Sequence, residues 1–119
     1  MSNASNSINN KITTREETNA KIVELCEQIK DMFSNKNKSY GNDVDGFYNF
    51  RETARRIFFN TNPDYMLDVI MVYMDKHWVA LTQNGIYTPE CKERFMDMAV
   101  YSLLSIALLE TEGGNLCSG

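Results

Sequence analysis

Proline is scarce in this sequence, which has two prolines among 119 residues. Bulky apolar side chains are abundant instead, with seven methionines, six tyrosines and six phenylalanines, and this combination disfavours a sandwich of short strands joined by many turns. Hydrophobic residues make up 43% of the chain and charged residues 24%, which excludes a disordered or collagen-like polymer. We therefore expect one folded domain built from helices with wide apolar faces.

Cysteines and long apolar runs are also few. Cys26, Cys91 and Cys117 are an odd number without close spacing, so the sequence indicates neither a disulfide framework nor a zinc site. No apolar run approaches the ~18 residues of a membrane-spanning helix, and the N-terminus lacks the apolar segment of a signal peptide. We expect a cytoplasmic protein with no membrane partner.

Positive charge is in short supply as well. Lysine and arginine total 12 against 16 aspartates and glutamates, which gives a formal net charge of -4. A protein that binds duplex nucleic acid by neutralising its phosphates carries a surplus of basic residues. Duplex nucleic acid is therefore not an expected partner.

The sequence lacks the short motifs of several large enzyme classes. It contains no glycine-rich phosphate loop, no nucleophile elbow and no dinucleotide fingerprint. Its only histidine is His77. A single histidine is more often a hydrogen-bonded structural residue than a general base, and both interpretations stay open here.

Four helices are predicted in a single all-α domain over residues 13–112. Residues 1–12 are polar and include the Ser-Asn-Ala of a tag-cleavage vector, so we expect a disordered N-terminal segment or tag remnant there, and a flexible tail over residues 113–119. A threonine cap with a glutamate three positions later opens the first helix within residues 13–17. Its apolar stripe is expected to face the core: Ile22, Leu25, Cys26, Ile29, Met32 and Phe33.

The remaining helices are delimited by turn and cap residues. Residues 34–45 are predicted as a loop, and a short second helix starts at Phe47. The third helix runs from Asp64 to about Gln83 and is stopped by Gly85, and the fourth opens with residues 88–90 (Thr-Pro-Glu) as its cap and first turn. The third and fourth helices are apolar nearly all round, which predicts a homo-oligomer in which they form part of the interface.

The short connection between the third and fourth helices predicts a central antiparallel hairpin. Pairing Asn84 with Pro89 then brings Lys76 level with Asp97, so this carboxylate is expected beside Lys76 or His77. Such a pair is either a structural ion pair that fixes the register or part of a functional site, and the residues alone favour neither.

A magnesium site is a further possibility at this hairpin. Glu93 and Asp97 lie on one face of the fourth helix, with Asp64, Asp68 and Asp75 on the facing helix, and carboxylate oxygens are the ligands that Mg²⁺ prefers. The alternative interpretation is that the acids near the helix N-terminus stabilise the helix dipole and that Asp75 is solvated.

Several short features occur in order along residues 36–110: a basic residue before Tyr-Gly at 40–41, a lysine at 76 on the third helix, and an aspartate at 97 followed by a tyrosine at 101. With these features the chain resembles a group of small all-α phage and prophage proteins, which is similar to the phage nucleotide-modification-associated domain. It implies a protein of nucleotide metabolism that binds or hydrolyses a nucleotide phosphate. We expect catalytic roles for Lys76, His77 and Asp97, and nucleotide contacts from Lys38, Tyr40 and Tyr101. In such a site Lys76 would contact the phosphate, Asp97 would orient Lys76 or a Mg²⁺ ion, and Tyr40 would stack on the base.

Residues 93–97 (Glu-Arg-Phe-Met-Asp) are also similar to the second acidic motif of the MazG-like nucleoside triphosphate pyrophosphohydrolases. That similarity implies metal-ligand positions at Glu93 and Asp97, with Mg²⁺ as the cofactor of a pyrophosphohydrolase. Arg94 departs from the family pattern, which has an acid there, and the earlier motif matches only Glu24 and Glu27. The alternative function is a non-catalytic oligomeric phage accessory protein.

Overall fold

The computed structural model describes residues 12–36 and 40–114. These residues form four α-helices and no β-strand, so the predicted all-α fold is confirmed. The helices are α1 (Arg15–Lys36), α2 (Tyr48–Phe58), α3 (Pro63–Asn84) and α4 (Cys91–Glu112). Lys38 and Cys117 lie outside the described residues, as do nearly all of the N-terminal segment and most of the C-terminal tail. None of the four helices is long and apolar enough to cross a membrane.

Helices α3 and α4 form the central hairpin, as predicted, and make the most extensive helix–helix contact in the described part of the chain. Gly85 ends α3 with a φ of 92° and donates its backbone N–H to the carbonyl of Leu81. Glycine adopts such a positive φ without steric conflict, which explains the stop at this position. Helix α2 packs on α3, and α1 packs on α4.

The core lies where α2 and the loop before it meet the hairpin. Phe50 of α2 is fully buried and contacts the ring of Tyr73 on α3 edge-on, with 5.6 Å between ring centroids. Most of the buried apolar residues form one cluster: Tyr40, Phe50, Ala54, Met66, Val69, Ile70, Val100, Leu104 and Leu108.

The two predicted helix starts have different outcomes. At α1, Glu17 donates its N–H to Oγ1 of Thr14 at 3.1 Å, and Thr14 donates its N–H to Oε1 of Glu17 at 3.0 Å, which is a complete capping box. At α4 the prediction is wrong, because the helix begins at Cys91 and its N-cap residue makes no side-chain cap bond. The carbonyl of Thr88 accepts the N–H of Cys91 at 3.1 Å, so residues 88–90 form a turn that precedes the helix.

Helix α1 is less buried than its apolar stripe predicts. None of its residues is buried, and Cys26, which the pattern assigned to a core, is exposed. Ile29 and Met32 pack against the core only in part. The reason is that α1 makes its main helix contact with α4 alone, so one side of the stripe stays open. The helix also continues to Lys36, three residues beyond Phe33, into the segment predicted as a loop.

Candidate functional site

The loop between α1 and α2 places Tyr40 in the hydrophobic core. Asp45 accepts a hydrogen bond from Nε of Arg51 at 2.6 Å and one from the N–H of Phe47 at 2.9 Å, which fixes the end of the loop on α2. A Cβ atom on Gly41 would clash with the backbone of Gly46, so this turn requires glycine after Tyr40. The Tyr-Gly pair thus brings a tyrosine back into the core through a tightly closed loop.

Asp97 of α4 is the centre of a polar cluster. Its Oδ1 lies 3.4 Å from Nζ of Lys36 at the end of α1, and its Oδ2 lies 3.9 Å from Nε2 of His77 on α3. The side chain of Asp97 is 17% exposed. One carboxylate therefore connects three helices, and it is the point where α1 is joined to the hairpin by charge.

Lys76 does not take the position that the hairpin register suggested. Lys76 is exposed and makes no salt bridge within residues 12–36 and 40–114. The reason is that the buried His77 points toward α4, and successive side chains on a helix point about 100° apart. Lys36 supplies the cation instead. Lys36 follows Met32 by four residues, so extending the α1 stripe by one more turn would have placed it on the face that meets α4.

Arg94 is the second cation that sequence reasoning did not assign to the site. It precedes Asp97 by three residues and therefore shares its face of α4. Its Nη1 lies 3.4 Å from Nδ1 of His77. We name Lys36, His77, Arg94 and Asp97 the Asp97 cluster.

The imidazole of His77 is buried and held between Arg94 and Asp97. A guanidinium can only donate, so Nδ1 accepts from Arg94 and the ring proton lies on Nε2, toward Asp97. Burial lowers the pKa of His77 below its ordinary 6.5, an effect that Asp97 opposes and that Arg94, Lys76 and Lys36 increase. His77 is consequently neutral at pH 7, and its one lone pair is engaged, which suits a positioning role better than proton abstraction.

Two tyrosines close the cluster on its inner side. The ring of Tyr40 is stacked between those of Phe33 and Phe50, at centroid distances of 6.0 and 6.1 Å, and it meets Tyr101 edge-on at 5.9 Å. Burial raises the pKa of Tyr101 to about 12 and also raises the pKa of Tyr40, so both phenols stay protonated at pH 7. Because Tyr40 is only 7% exposed and its ring packs against Phe33, Phe50 and Tyr101, a nucleobase has no exposed ring face of Tyr40 on which to stack in this structure.

Two openings lead to the cluster near the N-terminal end of α4. A small pocket of about 140 Å³ is lined by Glu90, Glu93, Arg94 and Asp97. A wider groove of about 440 Å³ lies between the end of α1 and the start of α4 and is lined by Met32, Lys36, Pro89, Lys92, Glu93 and Met96. The groove has the volume of a small-molecule site and combines apolar walls with cations.

The predicted magnesium ligands lie at the first of these openings. Glu93 and Asp97 both line the small pocket, but Arg94 lines it too and Lys36 flanks Asp97. Within the described residues, no three histidine, cysteine, aspartate or glutamate side chains are grouped to hold a metal ion. Two carboxylates and two neighbouring cations thus lie at this opening, and Mg²⁺ bound by Glu93 and Asp97 stays a prediction from the sequence.

Comparison of the chain with protein-family models, with curated proteins and with solved structures finds no match. The resemblance to small phage proteins and to MazG-like pyrophosphohydrolases therefore stays a prediction from the sequence.

Proposed function

We propose that this chain is a phage-type protein of nucleotide metabolism that binds a nucleotide phosphate beside the Asp97 cluster. The proposal is supported by two long cationic side chains from different helices that lie near one partly buried carboxylate, Asp97. Lys36 lines the groove, and Arg94 lines the small pocket beside it. Lysine and arginine are the side chains that bind phosphate most often, Lys36 as a point charge and Arg94 as a two-pronged donor.

The groove supports a nucleotide over a free phosphate. Met32 and Met96 give it apolar walls, and methionine side chains adapt to flat aromatic rings such as a nucleobase. Lys36 lies in the groove and also contacts Asp97, so a phosphate bound there would sit between the groove and the cluster. In this arrangement Lys36 takes the phosphate contact that the sequence assigned to Lys76.

The roles within the cluster follow from its hydrogen bonds. Asp97 orients Lys36 and the Nε2–H side of His77, and Arg94 holds the imidazole from its other side. Hydrolysis of the nucleotide is the further step that the MazG-like similarity implies. If the nucleotide brings Mg²⁺, Glu93 and Asp97 are the carboxylates that would complete its coordination, and the metal would neutralise charge on the phosphates.

The second candidate function is a non-catalytic accessory protein that acts as a homo-oligomer in the cytoplasm. It is favoured by the many large apolar side chains of α3 and α4 that remain exposed, among them Met71 at 63%, Trp78 at 50% and Ile106 at 51%. In that case the Asp97 cluster serves to join α1 to the hairpin. Duplex nucleic acid is a partner in neither candidate.

A thermal-shift screen against nucleoside mono-, di- and triphosphates, with and without Mg²⁺, tests the first candidate. A nucleotide at one hundred times its Kd stabilises the folded state by about 2.7 kcal/mol. The variants Lys36→Gln and Arg94→Gln are expected to abolish the shift, whereas Lys30→Gln, the same change elsewhere on α1, should retain it. A shift that Lys76→Gln removes and Lys36→Gln does not would restore the assignment made from the sequence. No shift with any nucleotide in the parent protein would leave the accessory function.

A further inference from the structure

The outer side of α4 carries an apolar stripe that the rest of the described chain covers only at its borders, where Phe95 meets Trp78 of α3 and Leu103 borders the groove toward α1. Its members recur at intervals of three or four residues, and the three largest, Phe95, Leu103 and Ile106, are 44%, 56% and 51% exposed. Ala99 and Ser102 lie between them. We name these five residues the α4 stripe. Because Phe95 and Asp97 are two positions apart, the stripe faces about 200° away from the Asp97 cluster.

The charges at the two ends of the stripe are opposite. Lys92 lies one turn before Phe95, and Glu110 lies one turn after Ile106, and both are exposed. Lys92 donates a hydrogen bond to the amide oxygen of Gln28 at 3.1 Å. Neither Lys92 nor Glu110 has a salt-bridge partner among the described residues. They are 18 residues apart, or about 27 Å along the helix, so they cannot neutralise each other within one molecule.

The sizes of the side chains follow the same symmetry. The middle of the stripe holds the small Ala99 and Ser102, and the large Phe95 and Ile106 lie on either side of them. If a second α4 is laid antiparallel on the first with the crossing at the level of residue 101, Phe95 meets Ile106 of the other copy and Ala99 meets Leu103. Small residues at a crossing let two helices approach closely.

We infer that the α4 stripe binds the α4 stripe of a second copy of this chain, antiparallel and related by a two-fold axis near residue 101. In that arrangement Lys92 of each copy faces Glu110 of the other, so the contact is complementary in charge, in size and in apolar character. A two-fold contact requires such a self-complementary surface. If one residue of the first copy contacts a second residue of the other copy, the reverse contact is also made.

The large apolar side chains supply about half of the surface that one partner buries in a standard dimer interface. The three large side chains of the stripe and the neighbouring Trp78, whose ring lies 6.1 Å from that of Phe95, are each about half exposed. With roughly 200 Å² for a full large side chain, they leave on the order of 400 Å² in water, about half of what one partner buries in a standard interface. The small residues and the charged ends of the stripe, with Met71 beside Trp78, contribute further area.

This inference rests on the proposed self-association, and it names the surface and the geometry. The stripe and the Asp97 cluster lie on opposite sides of α4, and of the residues in the proposed contact only Lys92 also lines the groove of the proposed nucleotide site.

Sedimentation equilibrium without nucleotide, over a range of protein concentrations, gives the mass of the species. We expect a dimer, twice the 13.7 kDa of the chain. Ser102→Arg, which brings two guanidinium groups together at the axis, should give a monomer at concentrations where the parent is dimeric. Lys92→Glu and Glu110→Lys should each weaken the dimer about tenfold, because each change replaces two attractive pairs by two repulsive ones. Arg56→Glu, the same type of charge change on α2, should leave the dimer unchanged.

The double variant Lys92→Glu with Glu110→Lys is the decisive measurement. It reverses both partners, so it should restore the dimer, and it can do so only if the two positions meet between copies. Circular dichroism shows whether each variant keeps its helices, and only variants with the parent spectrum are compared. A monomer at all concentrations overturns the inference. A dimer that is insensitive to these changes also overturns it, and would show self-association through another surface. A double variant that stays monomeric overturns it as well. The nucleotide thermal shift is measured separately on Ser102→Arg and Glu110→Lys, because Lys92 also lines the groove of the proposed nucleotide site. In both variants we expect the same shift as in the parent protein.

Discussion

Nδ1 of His77 lies 3.4 Å from Nη1 of Arg94, and this contact decides which ring nitrogen carries the proton. The chain has no other histidine, so the imidazole signals in an NMR spectrum come from His77 alone. We expect the neutral ring to be protonated on Nε2 and its pKa to lie below 6.5, because the ring is buried and Arg94 is cationic.

Arg94→Gln removes a positive charge beside His77 and should raise the pKa of its imidazole. Asp97→Asn should lower that pKa further, because the carboxylate of Asp97 favours the charged ring. Lys92→Gln is the matched control, since it removes a charge from the same helix without a contact to His77. An imidazole that titrates above 6.5 in the parent protein would contradict the burial and the tautomer described here.

The depressed pKa of His77 also predicts how stability varies with pH. In the unfolded chain the imidazole takes up a proton near pH 6.5, and in the folded state it does so only at lower pH. The unfolded state therefore binds more protons in this interval, and the free energy of unfolding falls as the pH drops from 7 through the folded pKa. Urea denaturation at several pH values should show this loss in the parent protein and a smaller one in His77→Gln.

Asp97→Asn is expected to cost about 1 kcal/mol of folding free energy. The cation that loses its partner is Lys36, whose side chain is 43% exposed and can return to water. A fully buried pair would cost about 3 to 5 kcal/mol instead, which is the value expected if Asp97 neutralised a buried lysine. Chemical denaturation separates the two values, with Asp31→Asn on the exposed surface of α1 as the control.

Arg51 should contribute more to stability than other arginines of α2. It donates to Asp45 at 2.6 Å and to Glu112 at 2.7 Å, and thus joins the loop before α2 to the end of α4. All three side chains are about one-third exposed or less, so Arg51→Ala is expected to cost about 2 to 3 kcal/mol. Arg55→Ala, which breaks an exposed pair with Glu52 on the same helix, should cost roughly 0.5 kcal/mol or less.

The contact between Arg51 and Asp45 also predicts how the free energy of unfolding changes at low pH. The hydrogen bond from Arg51 holds the pKa of Asp45 below its ordinary value. The stabilisation is present above the unfolded pKa of Asp45 and is lost as the pH falls through the folded pKa. Unfolding measured between pH 5 and pH 2 should depend less on pH in Arg51→Ala than in the parent. Equal slopes in the two proteins would show that Asp45 is not the partner that matters.

The hairpin could be predicted because the residues that determine it are close together in the sequence. A glycine stop, a short connection and two long apolar helices fix which levels of α3 and α4 lie side by side. A register of this kind gives the level of a residue along the helix and leaves its direction around the helix open. Lys76 and His77 lie at nearly the same level along α3, but their side chains point about 100° apart around the helix. The packing of the hairpin turns His77, and not Lys76, toward Asp97.

Lys36 and the surroundings of Tyr40 could not be predicted for a different reason. Both depend on how α1 and the loop after it pack on α4, and no short connection fixes that packing. The turn-forming residues after position 34 indicated a loop, although the helix continues through Lys36 because α4 offers Asp97 as its partner. Tyr40 carries a polar group, yet its ring fills the core between Phe33 and Phe50.

The last prediction concerns the dynamics of α1. None of its residues is buried, whereas α3 and α4 both contribute to the core, so α1 should open without unfolding the hairpin. Amide hydrogen exchange in α1 is expected to be at least ~10-fold faster than in the centres of α3 and α4. Thr14→Ala removes the capping box, which is worth about 1 kcal/mol, and should speed exchange in α1 alone.

Thr13→Ala is the control, because that side chain makes no hydrogen bond in the described residues.

Opening of α1 carries Lys36 away from Asp97, so a nucleotide that binds through Lys36 should slow exchange in α1 and leave α3 unchanged. If α1 is instead as protected as α4 in the free protein, another molecule must cover it. The place to look would then be the apolar groove of about 300 Å³ between α1 and α4, lined by Cys26, Ile29, Phe33, Val100, Leu103 and Ala107 among others.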